Sequence, residues 1–315
     1  MDEGIEAITI GEVLAEFYGK EIDKPLYEDG DFNGPFPAGA PAIFADTIAK
    51  IGGSVGFVGV VGADDFGKVV IDKFLDDGVD ISYLRKSEEY TTGTSFVTYF
   101  SDGSRDFLFH LGNAASGQLS SQDISEDYIS KADFLHITGS TIAMNQACRE
   151  TAYEAVKIAK ENGLKVTYDP NLRPELLKQK SPLEVSEPIL ENCDFLLPNE
   201  SELEMLSRRG DNLVEKAREF FEYSIDTVVV KRGKNGAVVV EQGNDFDVSP
   251  YSIEEVDPTG AGDSFDAGFV HSLIEGKDLE EATRFANATG ALAVTSRGGM
   301  AGIKSKEEIL SLMER

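Results

Sequence analysis

Short apolar runs alternate with helical patterns along almost the whole chain, and this alternation constrains the fold more than any other feature. The runs predicted as strands are Ala7–Ile10, Val55–Val61, Phe134–Thr138, Lys165–Asp169, Phe195–Pro198, Thr227–Lys231 and Gly236–Glu241. The helical stretches are Ala42–Ile51, Gly67–Asp77, Cys148–Asn162, Glu202–Ser207, Leu213–Tyr223, Asp263–Glu275 and Leu279–Thr295. Such alternation predicts an α/β fold with a mostly parallel central sheet flanked by helices, whose ligands gather at the carboxyl ends of the strands.

Two regions interrupt this rhythm. Residues 15–38 are rich in Gly, Pro and Asp, and residues 92–112, TGTSFVTYFSDGSRDFLFHLG, alternate apolar and polar around a Ser-Asp-Gly turn typical of a hairpin. We expect the two regions to form a small β-sheet lid within a single domain spanning residues 1–315. The alternative is an ordinary hairpin at the edge of the sheet.

Composition narrows the choice of partners. The chain has 315 residues, a formal net charge of −28 and a pI near 4.4. Nucleic acids and anionic membranes would be repelled by such a protein, so neither is expected as a partner. The sequence contains neither a secretory signal pattern nor an apolar run of the ~20 residues that a membrane helix needs, so we expect a cytoplasmic protein.

Cysteine and histidine offer no obvious metal site. The two cysteines, Cys148 and Cys193, form no CxxC motif, and they indicate neither a disulfide nor zinc. The three histidines, His110, His136 and His271, are scattered along the chain. A histidine metal centre or a catalytic triad is therefore not expected.

The segment at residues 256–269, VDPTGAGDSFDAGF, carries the clearest chemical signal. A turn leads through Gly260, Ala261 and Gly262 into an apolar helix with Asp263 in its first turn. Helix N-termini bind anions because their first N–H groups lack partners, and glycine lets a phosphate approach the backbone. A carboxylate at that place suits a base that takes a proton from a hydroxyl attacking the phosphate. The segment predicts phosphoryl transfer to an alcohol, although a capped turn would explain the same six residues, TGAGDS.

A second glycine motif resembles a phosphate-binding loop only in part. Residues 62–68, GADDFGK, begin like a nucleotide-binding phosphate loop. Val69 then replaces the Ser or Thr that binds Mg²⁺, and two aspartates, Asp64 and Asp65, occupy the loop. We therefore do not assign a phosphate loop here.

The chain resembles the ribokinase/PfkB family of carbohydrate kinases over nearly its whole length. DPTGAGDSFDAGF resembles the family's C-terminal signature, AGAPAIFADTIAKIGG at residues 38–53 resembles the N-terminal one, and GADDFG resembles the family's G-x-D-x-x-G turn. The resemblance implies a ribokinase-like fold with a small β-sheet lid and ATP-dependent phosphorylation of a sugar hydroxyl. In that mechanism Asp263 is the general base, and the N–H groups of Gly260, Ala261 and Gly262 form the anion hole.

The resemblance also implies the sugar-binding residues, and two of them depart from the family pattern. Ile43 stands where relatives have a sugar-binding Asn, and Glu16 stands where they have an Asp. The full set implied for the substrate is Glu16, Gly39, Ile43, Arg105, His110, Asn113, Arg173 from the DPNLR motif, and Asp263.

ATP and Mg²⁺ are the implied cofactors, with K⁺ as an implied monovalent cation. The nucleotide residues would be Asn199, Lys231, Gly233, Gly236, Gly260, Gly262 and Asn287. Glu202, in the N-x-x-E motif NESE, would organise Mg²⁺ through water, in keeping with the hydration that this ion retains. Asp257 and Thr259, with the loop TSRGG at residues 295–299, would hold the monovalent cation.

Segments flanking the lid are most similar to tagatose- and fructose-type kinases, so a neutral ketohexose is the expected substrate. A 2-keto-3-deoxygluconate kinase is the alternative, although Leu111 stands where such relatives carry a carboxylate-binding Arg. A catalytically silent sugar or nucleotide sensor is a further alternative, against which an intact Asp263 argues. Relatives often dimerise through the lid, and an apolar face of Phe96, Phe107 and Phe109 suggests a homodimer here.

Overall fold

A computed structural model describes residues 4–171, 177, 180–223 and 225–315. Its strands are β1 (Ala7–Gly11), β2 (Leu14–Gly19), β3 (Phe32–Ala38), β4 (Val55–Gly62), β5 (Asp80–Ser87), β6 (Gly93–Tyr99), β7 (Arg105–His110), β8 (Phe134–Thr138), β9 (Lys165–Asp169), β10 (Phe195–Leu196), β11 (Thr227–Lys231), β12 (Ala237–Glu241) and β13 (Asn244–Val248). Its α-helices are α1 (Ala40–Lys50), α2 (Asp65–Asp77), α3 (Glu126–Ile129), α4 (Gly139–Met144), α5 (Gln146–Glu161), α6 (Pro182–Leu190), α7 (Glu200–Leu206), α8 (Leu213–Glu219), α9 (Ala261–Ile274), α10 (Leu279–Ala293) and α11 (Lys306–Met313).

A nine-stranded sheet forms the centre of the molecule, in the order β13-β12-β11-β10-β9-β8-β1-β4-β5. All neighbours from β11 to β5 are parallel, whereas β12 and β13 run antiparallel at one edge. The carboxyl ends of the parallel strands therefore lie along one side of the sheet, where side chains from distant parts of the sequence can meet.

Alternation along the central strands sends successive side chains to opposite faces, and both faces are buried. In β11, Val228 and Val230 pack into the core that contains α5 and α6, while Val229 packs against α9 and α10. On the same side as α9, Phe57 of β4 belongs to the core formed with α1 and α2. This three-layer arrangement explains why these strands read as continuous apolar runs.

The small sheet has four strands in the order β3-β2-β6-β7. The β6–β7 pair is the predicted hairpin around Ser101, Asp102 and Gly103, and β2 runs parallel to β6. The prediction of a large, mostly parallel sheet with a separate small one is confirmed. Whether the small sheet moves as a lid stays a prediction.

One surface prediction is wrong, because the register of the hairpin divides the aromatic residues between two faces. Phe96 pairs with Leu108, while Phe107 pairs with Val97. Directly paired residues share a face, and neighbours along a strand alternate. Phe96 therefore lies on the face opposite Phe107 and Phe109, where it stacks on Phe17 with ring centroids 5.2 Å apart.

Within the described residues, no helix combines the length and the apolar composition needed to cross a bilayer.

Candidate active site

The start of α9 forms the predicted turn between a loop and a helix. Gly260 caps the helix with φ of 81°, and a Cβ at this residue would lie 2.8 Å from the carbonyl oxygen of Gly299. Only glycine satisfies both conditions without strain. The first N–H groups of the helix, which have no partners within it, thus sit at the end of a close-packed turn.

Asp263 lies in the first turn of α9 with only 7% of its surface exposed. The side-chain amide of Asn171 donates to its Oδ1 over 3.1 Å. Asn171 follows β9 and has φ of 25°, an unusual value for a non-glycine residue, so the chain turns sharply at the end of this strand. This hydrogen bond fixes the orientation of the Asp263 carboxylate.

Two cavities meet at this turn, and each is named after the ligand that the sequence predicts for it. The first, the sugar cavity, has a volume of about 330 Å³ and lies between the small sheet and the carboxyl ends of the strands. The second, the nucleotide cavity, has a volume of about 560 Å³ and lies between the β11–β12 turn and α10. Ala261 and Gly262 line both cavities, and Asp263 lines the sugar cavity. The geometry suits a reaction in which a group passes from one cavity to the other.

Carboxylates and apolar side chains together line the sugar cavity. Glu16 of β2 accepts a hydrogen bond from Ser95 of β6 over 2.9 Å. Glu12, which follows β1, accepts one from Thr141 over 2.8 Å. Apolar walls come from Ile43, Phe107, Phe109 and Leu111. The cavity offers oriented acceptors for hydroxyl groups beside surfaces that exclude water.

The approach of α1 to this cavity requires a glycine. Gly39 precedes the helix with φ of 117°, and a Cβ there would overlap the backbone carbonyl of Glu12. Ile43, one turn into α1, packs against Gly299 beside the anion hole. Ile43 is thus both a core residue and part of the cavity wall.

The nucleotide cavity is the more apolar of the two. Tyr251, Ile253, Phe265, Ala291 and Val294 line it, together with the glycines of the β11–β12 turn, Gly233 and Gly236. Asn287 of α10 also lines it, and its amide donates to the carbonyl oxygens of Val248 and Ser249 over 3.2 and 3.1 Å. Such an apolar lining suits the base of a nucleotide.

Lys231, at the end of β11, is engaged by protein carboxylates. Its Nζ lies 3.1 Å from Asp169 and 3.0 Å from the nearer oxygen of Asp266. Burial alone would lower the pKa of Lys231, but the charges of Asp169, Asp266 and Glu202 outweigh it, and the net shift is upward. The ammonium group therefore stays charged and bound to carboxylates at neutral pH.

Asn199 and Glu202 form a reciprocal cap at the start of α7. The Asn199 side chain accepts from the backbone N–H of Glu202, and Glu202 accepts from that of Asn199, both over 2.9 Å. Both residues line the sugar cavity. The cap fixes the Glu202 carboxylate in the wall of this cavity, and its contact with Mg²⁺ through water stays a prediction.

Asp257 organises the loop before the anion hole. Its two oxygens accept three hydrogen bonds, each with a donor–acceptor distance of 3.0 Å. The donors are the N–H groups of Thr259 and Gly298 and the Tyr99 hydroxyl. Arg105 donates to the Thr259 hydroxyl over 3.2 Å. Tyr99 and Arg105 belong to the small sheet, so these contacts join that sheet to the loop that precedes α9.

Two predicted substrate residues lie elsewhere. His110 and Asn113 line a third cavity, of about 880 Å³, bordered by the start of α2 and the start of α5. His110 alternates with Phe109 along β7, so its side chain leaves the opposite face of the strand. Arg173 lies outside the described residues. The other predicted substrate residues, Glu16, Gly39, Ile43, Arg105 and Asp263, all line the sugar cavity.

Sequence reasoning missed Glu12 and Asp266. Glu12 could have been found, because a carboxylate directly after a buried parallel strand falls at the ligand-binding edge of the sheet. Asp266 is three residues beyond Asp263 and therefore on the same side of the helix. The pairing of Asp266 with Lys231 depends on tertiary structure and had no local signal.

Comparison with known proteins gives a consistent result. A model of the pfkB family of carbohydrate kinases matches residues 6–306. Fructokinase-1 of Oryza sativa is 31% identical, with 98% of this chain and 97% of the relative covered. The 5-dehydro-2-deoxygluconokinase of Clostridium perfringens is 28% identical, with coverage of 98% and 93%.

Solved structures agree with these matches. A protein from E. coli named ribokinase II, in complex with ATP and Mg²⁺, is 38% identical, with 99% of both chains covered and a TM-score of 0.92. A double mutant of fructokinase from Vibrio cholerae, with fructose, ADP and potassium bound, is 27% identical, with 99% of this chain and 100% of that chain covered and a TM-score of 0.84.

Proposed function

The chain belongs to the pfkB family of carbohydrate kinases, and from this premise we propose that it phosphorylates a neutral ketohexose of the fructose or tagatose kind with ATP. The observation that carries the proposal is the position of Asp263. This buried carboxylate stands beside glycine N–H groups at the junction of a polar cavity and a more apolar one.

In this mechanism the sugar lies in the cavity lined by Glu12, Glu16 and Ile43, with one hydroxyl directed at Asp263. The hydroxyl oxygen attacks the γ-phosphorus while the bond to the bridging oxygen breaks and ADP leaves. Asp263 accepts the hydroxyl proton, and Asn171 holds the carboxylate in place. The N–H groups from Gly260 to Gly262 stabilise the charge that develops on the phosphoryl oxygens, a kind of contact typically worth ~10²–10³ in rate.

The nucleotide would occupy the second cavity with its base against Tyr251, Ile253 and Val294. Mg²⁺ would be bound with ATP and would neutralise the triphosphate, and Glu202, in the wall of the sugar cavity, would hold its water shell. Asp257 and Thr259 remain the proposed monovalent-cation residues. The Asp257 oxygens already accept three hydrogen bonds, so K⁺ would have to share them.

The charges of the sugar cavity support a neutral substrate. Its described lining contains the five carboxylates of Glu12, Glu16, Asp169, Glu202 and Asp263, against two cationic side chains. One of the two, Lys231, is paired internally, and Leu111 supplies an apolar wall where an acid-binding cation would be needed. An additional carboxylate on the substrate would be repelled.

A keto acid is the second candidate, because Arg105 reaches the same cavity and a relative acts on such a compound. The guanidinium of Arg105 stacks on Phe107 at 5.4 Å, so it is oriented for a planar anion. Both candidates share the mechanism and differ only in how the end of the sugar is bound.

The test is ADP release with Mg-ATP across fructose, tagatose, ribose, 2-keto-3-deoxygluconate, 5-dehydro-2-deoxygluconate and adenosine, with an Asp263→Ala control. We expect the highest kcat/KM with a ketohexose, and phosphorus NMR of the product would identify the hydroxyl. A preference for either keto acid would overturn the neutral-sugar assignment. Sugar binding without turnover would instead indicate a silent sensor.

The predicted homodimer and cytoplasmic location remain part of the proposal. The face with Phe17 and Phe96 also bears Phe32 and Leu108, which are 37% and 47% exposed, and it could bury these residues against a second copy. Analytical ultracentrifugation tests the dimer, which a monomer at micromolar concentration would contradict. Cytoplasmic ATP is the expected phosphoryl donor, and cell fractionation tests that location.

A further inference from the structure

Lys231 is predicted above to contact the nucleotide, but the buried cluster that it forms with Asp266 and Asp169 takes no part in the mechanism proposed above. The cluster lies next to the helical turn that carries Asp263. Lys231 ends β11 and Asp169 ends β9, so the lysine reaches across the end of the two-residue strand β10 between them. Asp266 approaches from α9 and receives the same ammonium group with both oxygens, at 3.1 and 3.0 Å. One cation therefore ties the helix to two strands of the sheet.

Each carboxylate of this cluster is linked to Asp263 by a short path. Asp266 is three residues from Asp263 on the same side of α9, so a fixed Asp266 fixes the rotation of the first helical turn. Asp169 also accepts from the backbone N–H of Asn171 over 3.3 Å, and the Asn171 amide donates to Asp263 over 3.1 Å. The base is held from both sides, and both paths begin at Lys231.

The surroundings of Lys231 argue against an external ligand as its main partner. Its side chain is 10% exposed, and the Asp266 side chain is fully buried. The ammonium lies 3.6 Å from where a Cβ on Gly262 would stand, and Lys231 lines both cavities, so the ammonium is close to the proposed anion hole. To bind a triphosphate directly, it would have to leave two buried carboxylates without a cation, which is costly.

Accepting the phosphotransfer proposed above, we propose that Lys231 and Asp266 are positioning residues that set the orientation of Asp263 by clamping the first turn of α9 to the sheet. A small displacement of a reacting group is enough to reduce turnover by ~10²-fold. This clamp, formed by Lys231 and Asp266, should therefore control kcat and have little effect on the affinity for ATP. If Lys231 instead bound the triphosphate, its replacement would weaken ATP binding and have little effect on kcat.

The principal variant is Asp266→Asn, which keeps the shape of the side chain and removes its charge. Asp194→Asn is a matched control at the opposite end of the same strands, where Asp194 holds Lys160 and Lys165 at 2.8 Å. Thermal unfolding, kcat, sugar KM and the Kd for Mg-ATP without sugar are measured for both variants. We expect Asp266→Asn to lower kcat by ~10–10²-fold with a nucleotide Kd within about threefold of the wild type. Asp194→Asn should lower thermal stability and keep kcat.

Two further experiments test whether the loss of turnover is a general structural effect and whether Lys231 binds the nucleotide directly. In an Asp263→Ala background, Asp266→Asn should cause no additional loss of residual turnover, because both changes act through one group. Lys231→Met should also lower kcat and spare the Kd for Mg-ATP. The inference is overturned if folded Asp266→Asn keeps full kcat, if its effect persists without Asp263, or if Lys231→Met weakens nucleotide binding tenfold while kcat is retained.

A readout without any sugar separates this inference from the proposed function. In protein with ¹³C-labelled aspartate carboxyls, the Asp263 resonance should move in Asp266→Asn and stay in place in Asp194→Asn. If Asp266→Asn fails to fold, Asp169→Asn tests the clamp from the sheet side with the same expected shift. Failure to phosphorylate any sugar would refute the function alone, whereas an unmoved Asp263 resonance would refute the clamp alone.

Discussion

Replacing Gly262 with alanine should separate stability from activity at the anion hole. The φ angle of Gly262 is not in the left-handed region, and the nearest atom to an added Cβ is Lys231 Nζ at 3.6 Å, an ordinary contact. The methyl group therefore adds no strain. Alanine is preferred to glycine in a helix by about 0.5–1 kcal/mol, so the variant should unfold about 1–3 °C higher than the wild type.

The same methyl group should block the reaction. Gly262 lines both cavities at their junction, and in the proposed mechanism the phosphoryl group approaches the backbone there. We expect turnover to fall by ~10² or more, the loss typical when an anion-hole contact is removed. The measurements are a thermal unfolding curve and steady-state ADP release with saturating Mg-ATP and sugar.

Gly260→Ala is the contrasting variant. Its φ of 81° and the Gly299 carbonyl oxygen at 2.8 Å leave no room for a side chain. The left-handed conformation alone costs an L-residue ~1–2 kcal/mol, so this variant should lose both stability and activity. A stable Gly262→Ala protein with undiminished turnover would refute the assignment of this turn as the phosphoryl site.

Three other predictions follow from contacts and burial. Tyr99→Phe removes the hydroxyl that donates to Asp257. This variant should lose about 1–2 kcal/mol of unfolding free energy and have a severalfold higher KM for the sugar. A change in the KM for ATP alone would contradict this role of the small sheet. Burial lowers the pKa of His136 to about 3, whereas the unfolded chain protonates near pH 6.5. The unfolded state thus binds the extra proton between these values, and unfolding free energy should fall on acidification below pH 6.5 by up to about 1.4 kcal/mol per pH unit. Urea titrations of wild type and His136→Gln at pH 7 and 4.5 test this, and equal losses in the two proteins would argue against it. Burial raises the pKa of Cys148 to about 12 and that of Cys193 above its usual range, so Ellman's reagent should label both thiols only after unfolding; labelling of native protein within seconds would disprove their burial.

The interior of the fold was predictable from the sequence because buried parallel strands read as continuous apolar runs. The predicted limits of Phe134–Thr138, Lys165–Asp169 and Thr227–Lys231 coincide with β8, β9 and β11. The strands missed by the prediction include β5 and β13, which lie at the two edges of the large sheet. Both carry charged, half-exposed residues, and they form through hydrogen bonds to a neighbour that the local pattern does not reveal.

In the candidate site, too, some features could be predicted from the sequence and others could not. Asp263 and the glycines before it were predictable because a loop entering a helix has its own local chemistry. His110 was predicted to contact the substrate, yet it lines a different cavity from Asp263, because the face of a strand on which a residue lies is set by register with its partner strand. The contacts of Lys231 with Asp169 and Asp266 join three separate segments, so only the assembled sheet and helix bring them together.

The most direct test of the account is the transfer of radiolabelled phosphate from γ-labelled ATP to a ketohexose in a single turnover. Wild-type protein and Asp263→Asn would be compared at saturating sugar, since asparagine keeps the shape of the side chain and cannot accept the proton. We expect labelled sugar phosphate from the wild type and a rate reduced by ~10²–10⁴ in the variant. Equal rates in the two proteins would show that Asp263 is not the base and would contradict the account.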